Sequence, residues 1–399
     1  MTDVGVYSNF VKLQVPDYPD IQYRFTDNNP NGSTQVWAEV FATKLGLTTT
    51  PNVINTDFIG GTAFAEGGSR VSQGAPLLPP YITNIPVTTQ VDRLLAQRPT
   101  LGANDLILLW AGANDGFANF ETYKDSPDPS PGLADMAAQA KILASQVQRL
   151  KSAGAQLVVV LTIPNLANTP LGNDPDLTPE QRSLYTSLSQ SFNSQLMQSA
   201  PQAGALVVDV DKVLNDAILN PTRYGFNPDV FGQTACDGEL SLTCLGTNPD
   251  NYLFADFVHP SSQAHQLLGQ FIFASLQAIP QAETLLTAPL QNIRQQSLSV
   301  ENRLNMQALS DGTGKLREVG DVHVYGGPEG GYMKTSAQQL LSSIESTSAN
   351  IDFGVDWMMT RNAVVGVALS YGQMNTKFGG QSGQLKPTVQ LAPCMQQSL

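Results

Sequence analysis

Apolar positions recur along the first two thirds of the chain in two rhythms. In one, Val36, Trp37, Val40, Phe41 and Leu45 fall on a single helical face running on from Ser33, and Gly46 follows where a left-handed C-terminal cap belongs. In the other, Asp105 to Trp110 (DLILLW), Leu157 to Ile163 (LVVVLTI) and Ala205 to Val210 (ALVVDV) are short, nearly continuous apolar runs, the pattern of strands buried on both faces. Helices are predicted between these runs. One covers Leu133 to Ser152. Another opens at Thr178-Pro179-Glu180-Gln181, where Thr178 can cap, Pro179 suits the first turn and Gln181 can close a capping box. A further helix is expected over Ser261 to Leu276. Strands alternating with helices predict right-handed βαβ units, hence an α/β domain whose parallel sheet is covered on both faces.

The rhythm then changes. Gln, Ser and Asn crowd Gln291 to Gln307, which reads as a weakly amphipathic helical linker. From Asn350 the sequence alternates (NIDFGVDWMM), turns at Thr360-Arg361-Asn362 and resumes as AVVGVALSYGQMNTKFG, an antiparallel hairpin signal. Residues from Gln381 to Leu399, with Pro387 and Pro393, have no strand period and are expected to be an unstructured tail. The resulting division is a domain at 1–280, a linker at 281–345 and a hairpin with its tail at 346–399.

Composition narrows the function. Of 399 residues 41% are hydrophobic, enough for one large core or two domains, and only 14% are charged. With 33 glycines and 26 prolines the protein is loop-rich. A net charge of −13 repels phosphate backbones, which excludes nucleic acid as a partner. His259, His265 and His323 are the only histidines, there are three cysteines, and neither Cys-x-x-Cys nor His-Glu-x-x-His occurs, so no metal site is expected. Cys236 and Cys244 lie eight positions apart in a polar loop and could close a small disulfide, leaving Cys394 over. The chain contains no apolar run of about 18 residues and no basic start followed by an apolar segment, so neither a membrane helix nor an export signal is expected within it.

Three motifs carry chemistry. Asp256 stands three positions before His259, within reach to fix the tautomer of the imidazole and stabilise its cation. Gly112-Ala113-Asn114-Asp115 follows an apolar strand, at the edge where open α/β sheets bind ligands, and its neutral amide can donate to a developing oxyanion. Gly67-Gly68-Ser69 follows Asn55 to Gly61, and its glycines let a backbone N–H approach a ligand. Each has a plainer explanation as a surface pair, an Asx turn or an ordinary turn.

Taken in chain order, TDVGVYSNF, FAEGGSRV, LLWAGANDGF and YLFADFVHPSSQAHQLL resemble the consensus blocks of the GDSL, or SGNH, serine esterases and lipases, over residues 1 to about 277. The resemblance implies a flavodoxin-like three-layer sandwich and hydrolysis of carboxylic esters, from small acyl esters to lipids, through an acyl-enzyme without a cofactor. It makes His259 the general base, Asp256 its orienting partner, and Asn114 with the backbone N–H of Gly68 the oxyanion donors, Gly67 being the alternative if the loop aligns one position away. His265 is expected to be structural.

The sequence departs from that family at its start. Met1 occupies the leucine position of Gly-Asp-Ser-Leu, so the nucleophilic serine and the first strand that ends on it are absent from the chain as written. Ser8 and Ser69 are nearby hydroxyls, though neither sits on the turn that presents the family nucleophile. NIDFGVDWMMTRNAVVGVALSYG resembles the opening of an autotransporter β-domain. A membrane barrel takes at least about 8 strands of roughly 9 to 11 residues, more than the remaining chain can form. The expectation is a piece, truncated at both ends, of a longer esterase that a β-barrel tethers to an outer membrane, exposed at the cell surface or secreted. The alternatives are a catalytically inactive fragment or surface binding module, and an acyltransferase or carbohydrate deacetylase of the same family. The loops Pro76 to Pro86 and Asn165 to Asp176 give no clue to acyl length.

Overall fold

The computed structural model describes residues 2–8, 23–28, 34–52, 60–78, 82–102, 104–242, 244–245, 251–278, 317–335, 344–361, 363–378 and 381–397. They form two units, Met1–Ser275 and Leu276–Leu399. In the first, helix α1 (Trp37–Lys44) precedes an antiparallel hairpin of β1 (Ala75–Leu78) and β2 (Ile82–Asn84). Helix α2 (Val87–Gln97), strand β3 (Leu106–Leu109), helices α3 (Ala113–Tyr123) and α4 (Ser130–Ser152), and strand β4 (Leu157–Leu161) follow. Helix α5 (Pro179–Gln202), strand β5 (Leu206–Val208) and helix α6 (Val210–Leu219) come next, and residues 262–278 form helix α7.

Strands β3, β4 and β5 pair in parallel and in chain order, as Leu106 with Leu157 and Val159 with Leu206. Along β4, Val158 and Val160 join the cluster built by Met136, Leu143 and Val147 of α4 and by Leu188, Phe192 and Leu196 of α5. Val159 and Leu161 alternate onto the opposite face and are equally buried, so both faces of the central strand are covered. Each such side chain contributes about 1.5–3 kcal/mol on burial, which places the core at this strand.

The element ends differ from the sequence expectation for local reasons. Trp110 leaves the β3 ladder because its indole N–H donates to the Thr162 carbonyl at 2.9 Å. Val210 starts α6 instead of ending β5, because the Asp209 carboxylate caps the Lys212 N–H. At α5 the capping box forms as expected, with Thr178 and Gln181 satisfying each other's backbone N–H. The expected start of the first helix at Ser33, most of Asn55 to Gly61, and the linker Gln291 to Gln307 lie outside the described residues.

The second unit is a four-stranded antiparallel sheet, β6 (Val322–Thr335), β7 (Ile344–Thr360), β8 (Ala363–Phe378) and β9 (Gln381–Gln397), paired in that order. The β7–β8 hairpin lies where alternation predicted it. Two expectations are corrected. Strand β6 falls inside the segment taken as linker. Its glycines and Pro328 erase the apolar alternation, but it pairs with β7 from Val322↔Trp357 to Thr335↔Ile344. Strand β9 replaces the unstructured tail. It hydrogen-bonds along β8 as an edge strand, where proline is tolerated, and Pro387 falls at the register break opposite Gly372 and Met374.

This sheet inverts the usual arrangement. Ser346, Ser348, Asn350, Asp352, Asp356 and Ser370 are buried, and Arg317 pairs with Asp356 at 2.5 Å. Ile351, Phe353, Trp357 and Met359 of β7, and Val367 and Tyr371 of β8, are exposed on the other face.

Candidate active site

A cleft of about 370 Å³ in the first unit is lined by Thr2, Asp3, Gly68, Asn114 and His259, so it collects residues from all four sequence blocks. The loop after β3 supplies Asn114. Gly112 turns there with φ +116°, a conformation open to glycine, and a Cβ on it would lie 2.4 Å from the Phe192 ring. The turn starts α3 at Ala113 and brings Asn114 and Asp115 into its first turn.

These two residues hold the Gly67–Gly68 loop. Asn114 Nδ2 donates to the Ser69 carbonyl at 3.0 Å, leaving its second hydrogen for a ligand. The fully buried Asp115 carboxylate accepts from the Val71 N–H at 3.0 Å and from Arg70 Nε at 3.2 Å. Burial pushes its pKa up to about 6, against the opposing pull of those donors.

Asp3 anchors the loop from the other side. Its carboxylate accepts from the N–H groups of Gly5, Val6 and Tyr7 and, at 2.8 Å, from the Gly67 N–H. Burial raises its pKa although four backbone donors face it. Both loop glycines line the cleft, but the Gly67 N–H is committed to Asp3, which leaves Gly68, with φ +77°, as the candidate donor. A Cβ on Gly67 would run into the Phe25 ring, whose centroid lies 5.1 Å from that of His259.

His259 is carried by a turn that Asp256 builds. Asp256 Oδ1 accepts from the Val258 and His259 N–H groups at 2.9 and 2.8 Å, and Oδ2 accepts from the Ser241 N–H at 3.0 Å. His259 Nδ1 lies 2.8 Å from the same Oδ2. Burial works to raise the Asp256 pKa, but the hydrogen bond and charge of His259 outweigh it and hold the carboxyl well below the usual range. One carboxylate thus builds the turn and holds the imidazole. With Nδ1 facing Asp256, Nε2 is the nitrogen left for chemistry in the cleft.

The remaining candidates separate. Ser8 is fully buried, its hydroxyl donates to the Gly5 carbonyl, and it does not line the cleft. Ser69 lines the cleft, but its hydroxyl accepts from Gln90 Nε2 at 3.0 Å. His265 is buried with Nδ1 accepting from the Trp37 N–H, and burial lowers its pKa to about 3, so it stays neutral. Cys236 and Cys244 form the disulfide that their spacing allowed. Sequence reasoning missed Asp3, Asp115, Glu66 and Ser241. Glu66 lines the cleft at 8% exposure, its Oε1 meeting no hydrogen-bond partner among the described residues, and burial with the charge of Asp3 raises its pKa to about 7.

The chain is similar to an uncharacterized protein from the trpE-trpG intergenic region of Pseudomonas putida, 31% identical over 44% of this chain and 29% of that protein. It is also similar to Lipase 1 of Photorhabdus luminescens, 23% identical over 88% of this chain and 60% of the relative. A GDSL esterase/lipase of Arabidopsis thaliana is 24% identical over 65% and 82% of the two chains. The chain thus spans well under two thirds of the P. putida relative's length and slightly under two thirds of Lipase 1. The family model of the GDSL-like lipases and acylhydrolases matches residues 17–272, a stretch that holds the Gly68, Asn114, Asp256 and His259 positions gathered above, and the chain belongs to that family.

Proposed function

We propose that the first unit hydrolyses carboxylic esters through an acyl-enzyme. The observation that carries this reading is one cleft lined by Gly68, Asn114 and His259, with Asp256 behind the imidazole. His259 Nε2 takes the proton of an attacking hydroxyl and later returns it to the leaving alcohol. Asp256 keeps the other proton on Nδ1 and stabilises the imidazolium. Asn114 Nδ2 and the Gly68 N–H donate to the tetrahedral oxyanion, and water then releases the acyl group. His259, Asp256, Asn114 and Gly68 supply the base, its partner and the oxyanion donors. Phe25, Phe117, Leu166, Leu171, Leu242 and Val258 give the cleft apolar walls suited to an acyl chain.

In the same reading, the second unit is part of the wall of a membrane β-barrel that tethers the enzyme at an outer membrane. Its support is the exposed row Ile351, Phe353, Trp357 and Met359, opposite buried serines, Asn350 and two aspartates, the apolar-out and polar-in order of such walls. Four strands are about half of the smallest barrel.

The test is hydrolysis of a short-chain nitrophenyl ester by the full-length protein, with fluorophosphonate labelling and peptide mapping of the adduct. His259→Ala is expected to abolish both, and the map to name the attacking hydroxyl. Turnover surviving that change would remove His259 from the mechanism. No adduct and no turnover from folded protein would refute ester hydrolysis by this chain and leave a binding cleft.

A further inference from the structure

The loop closed by the Cys236–Cys244 disulfide carries a side chain that touches both Asp256 and His259. Ser241 is 1% exposed. Its N–H donates to Asp256 Oδ2 at 3.0 Å, and its hydroxyl oxygen lies 3.3 Å from His259 Nδ1. The Ser241 carbonyl accepts from Asn28 Nδ2 at 2.7 Å, and the Asn28 N–H donates to the Cys244 carbonyl at 3.2 Å. At the other end of the loop the Cys236 N–H donates at 2.9 Å to the carbonyl of Ala255, next to Asp256. The loop is therefore tied at its Cys236 end and at its middle to the turn that bears the imidazole, and at its Cys244 end to Asn28.

We propose that Ser241 is a positioning residue of the Asp256–His259 pair, kept in place by the disulfide loop. This rests on reading that pair as the catalytic base and its partner. With the proton on Nδ1, the imidazole donates to Asp256, and Ser241 Oγ offers a second acceptor to the same N–H. The other tautomer would turn a bare lone pair toward a carboxylate oxygen. The carboxylate thus fixes the form in which Nε2 faces the cleft with its lone pair free, and the hydroxyl supports that form by accepting from the same N–H. The hydroxyl meets the ring at the same nitrogen as the carboxylate, so the imidazole cannot swing away from Asp256 without also breaking this contact. Ser241 Oγ meets the nitrogen held by Asp256 and is not the attacking group. Opening the disulfide releases the segment that presents both the N–H and the hydroxyl.

With three histidines in the chain, imidazole ¹⁵N spectra of the full-length protein read the His259 tautomer without turnover. Ser241→Ala is expected to move part of the neutral His259 population to the Nε2–H form. Where turnover is measured, kcat should fall about 2- to 10-fold, the worth of one neutral hydrogen bond, at unchanged KM. Ser241→Thr, which keeps the hydroxyl, should restore the spectrum. The Cys236→Ser/Cys244→Ser variant should give a similar change, and adding Ser241→Ala to it should add little. Wild-type nitrogen shifts in Ser241→Ala, or full additivity of the two changes, would overturn the proposal. Turnover surviving His259→Ala would instead remove His259 from the mechanism, and no turnover from folded wild-type protein would sink the hydrolase reading, while the spectra still judge the positioning.

Discussion

Replacing Asp256 by Asn should separate what this carboxylate does for stability from what it does for turnover. The exchange keeps Oδ1, which accepts from the Val258 and His259 N–H groups, and puts an NH₂ where Oδ2 takes the Ser241 N–H and His259 Nδ1. Donor then faces donor at two places. The buried Ser241 N–H loses its acceptor, a cost of about 1–3 kcal/mol. The imidazole relieves the second clash by moving its proton to Nε2, which disables it as a base, and kcat should fall on the order of 10³- to 10⁴-fold. Asp256→Ala strips the acceptor from every donor. Since water can reach the half-buried Val258 and His259, the stability loss should be about 2–5 kcal/mol. Urea unfolding in a Trp357→Phe background, followed by fluorescence excited selectively at tryptophan, isolates the first unit, because Trp37 and Trp110 are then the remaining tryptophans. The Asp256 pKa is depressed in the fold, so its contribution is present above about pH 4 and is lost as the pH falls through the folded value. The variant and wild-type curves should therefore converge in strong acid. An Asn variant with wild-type stability and kcat within about twofold would refute this reasoning.

Other consequences follow from single residues. Gly112→Ala puts a Cβ at positive φ and 2.4 Å from the Phe192 ring, so urea unfolding should show a loss of about 2–4 kcal/mol, and an unchanged midpoint would refute the steric account. Glu66 has its pKa raised by burial to about 7, so its neutral form stabilises the fold below the unfolded value, a contribution lost as the pH rises through 7. Glu66→Gln should therefore gain about 2 kcal/mol over wild type at pH 8.5 and almost nothing at pH 4, and equal gains at both would count against it. Trp357, 46% exposed on the apolar face of β7, should be quenched by lipids brominated in their acyl chains, and Trp37, fully buried, should not. Quenching of neither would argue against insertion of the sheet.

The parts of the fold that could be read from sequence are those whose signal is local. The β4 run LVVVL is apolar because both its faces are covered, and Thr178 with Gln181 forms a cap within four residues. The β7–β8 hairpin shows the period of two directly. Strands β6 and β9 were illegible because glycine and proline break their period, and what holds them is backbone pairing with a neighbour. The same division runs through the site. Asp256 and His259 are three positions apart and announce themselves. Ser241, 15 positions before Asp256, and Asp3, 64 before Gly67, become partners when loops close. Asp115 looked like the second half of a turn and is instead the clamp on Arg70 and Val71. Ser8 and Ser69 were drawn in by nearness along the chain, which says nothing about where a hydroxyl is spent.

The row of exposed apolar side chains on β7 and β8 also governs how the proposed hydrolysis can be assayed. An aqueous buffer leaves that row as adhesive surface, and the chain should self-associate as it is concentrated unless a surfactant coats it. A surfactant tail is also an acyl chain, and the cleft walls of Phe25, Phe117 and Leu166 do not distinguish the two. Micelles added to keep the protein dispersed become competitive inhibitors of ester binding. An inactive preparation therefore has to be retested across surfactant head groups and tail lengths before its silence is credited to the catalytic residues.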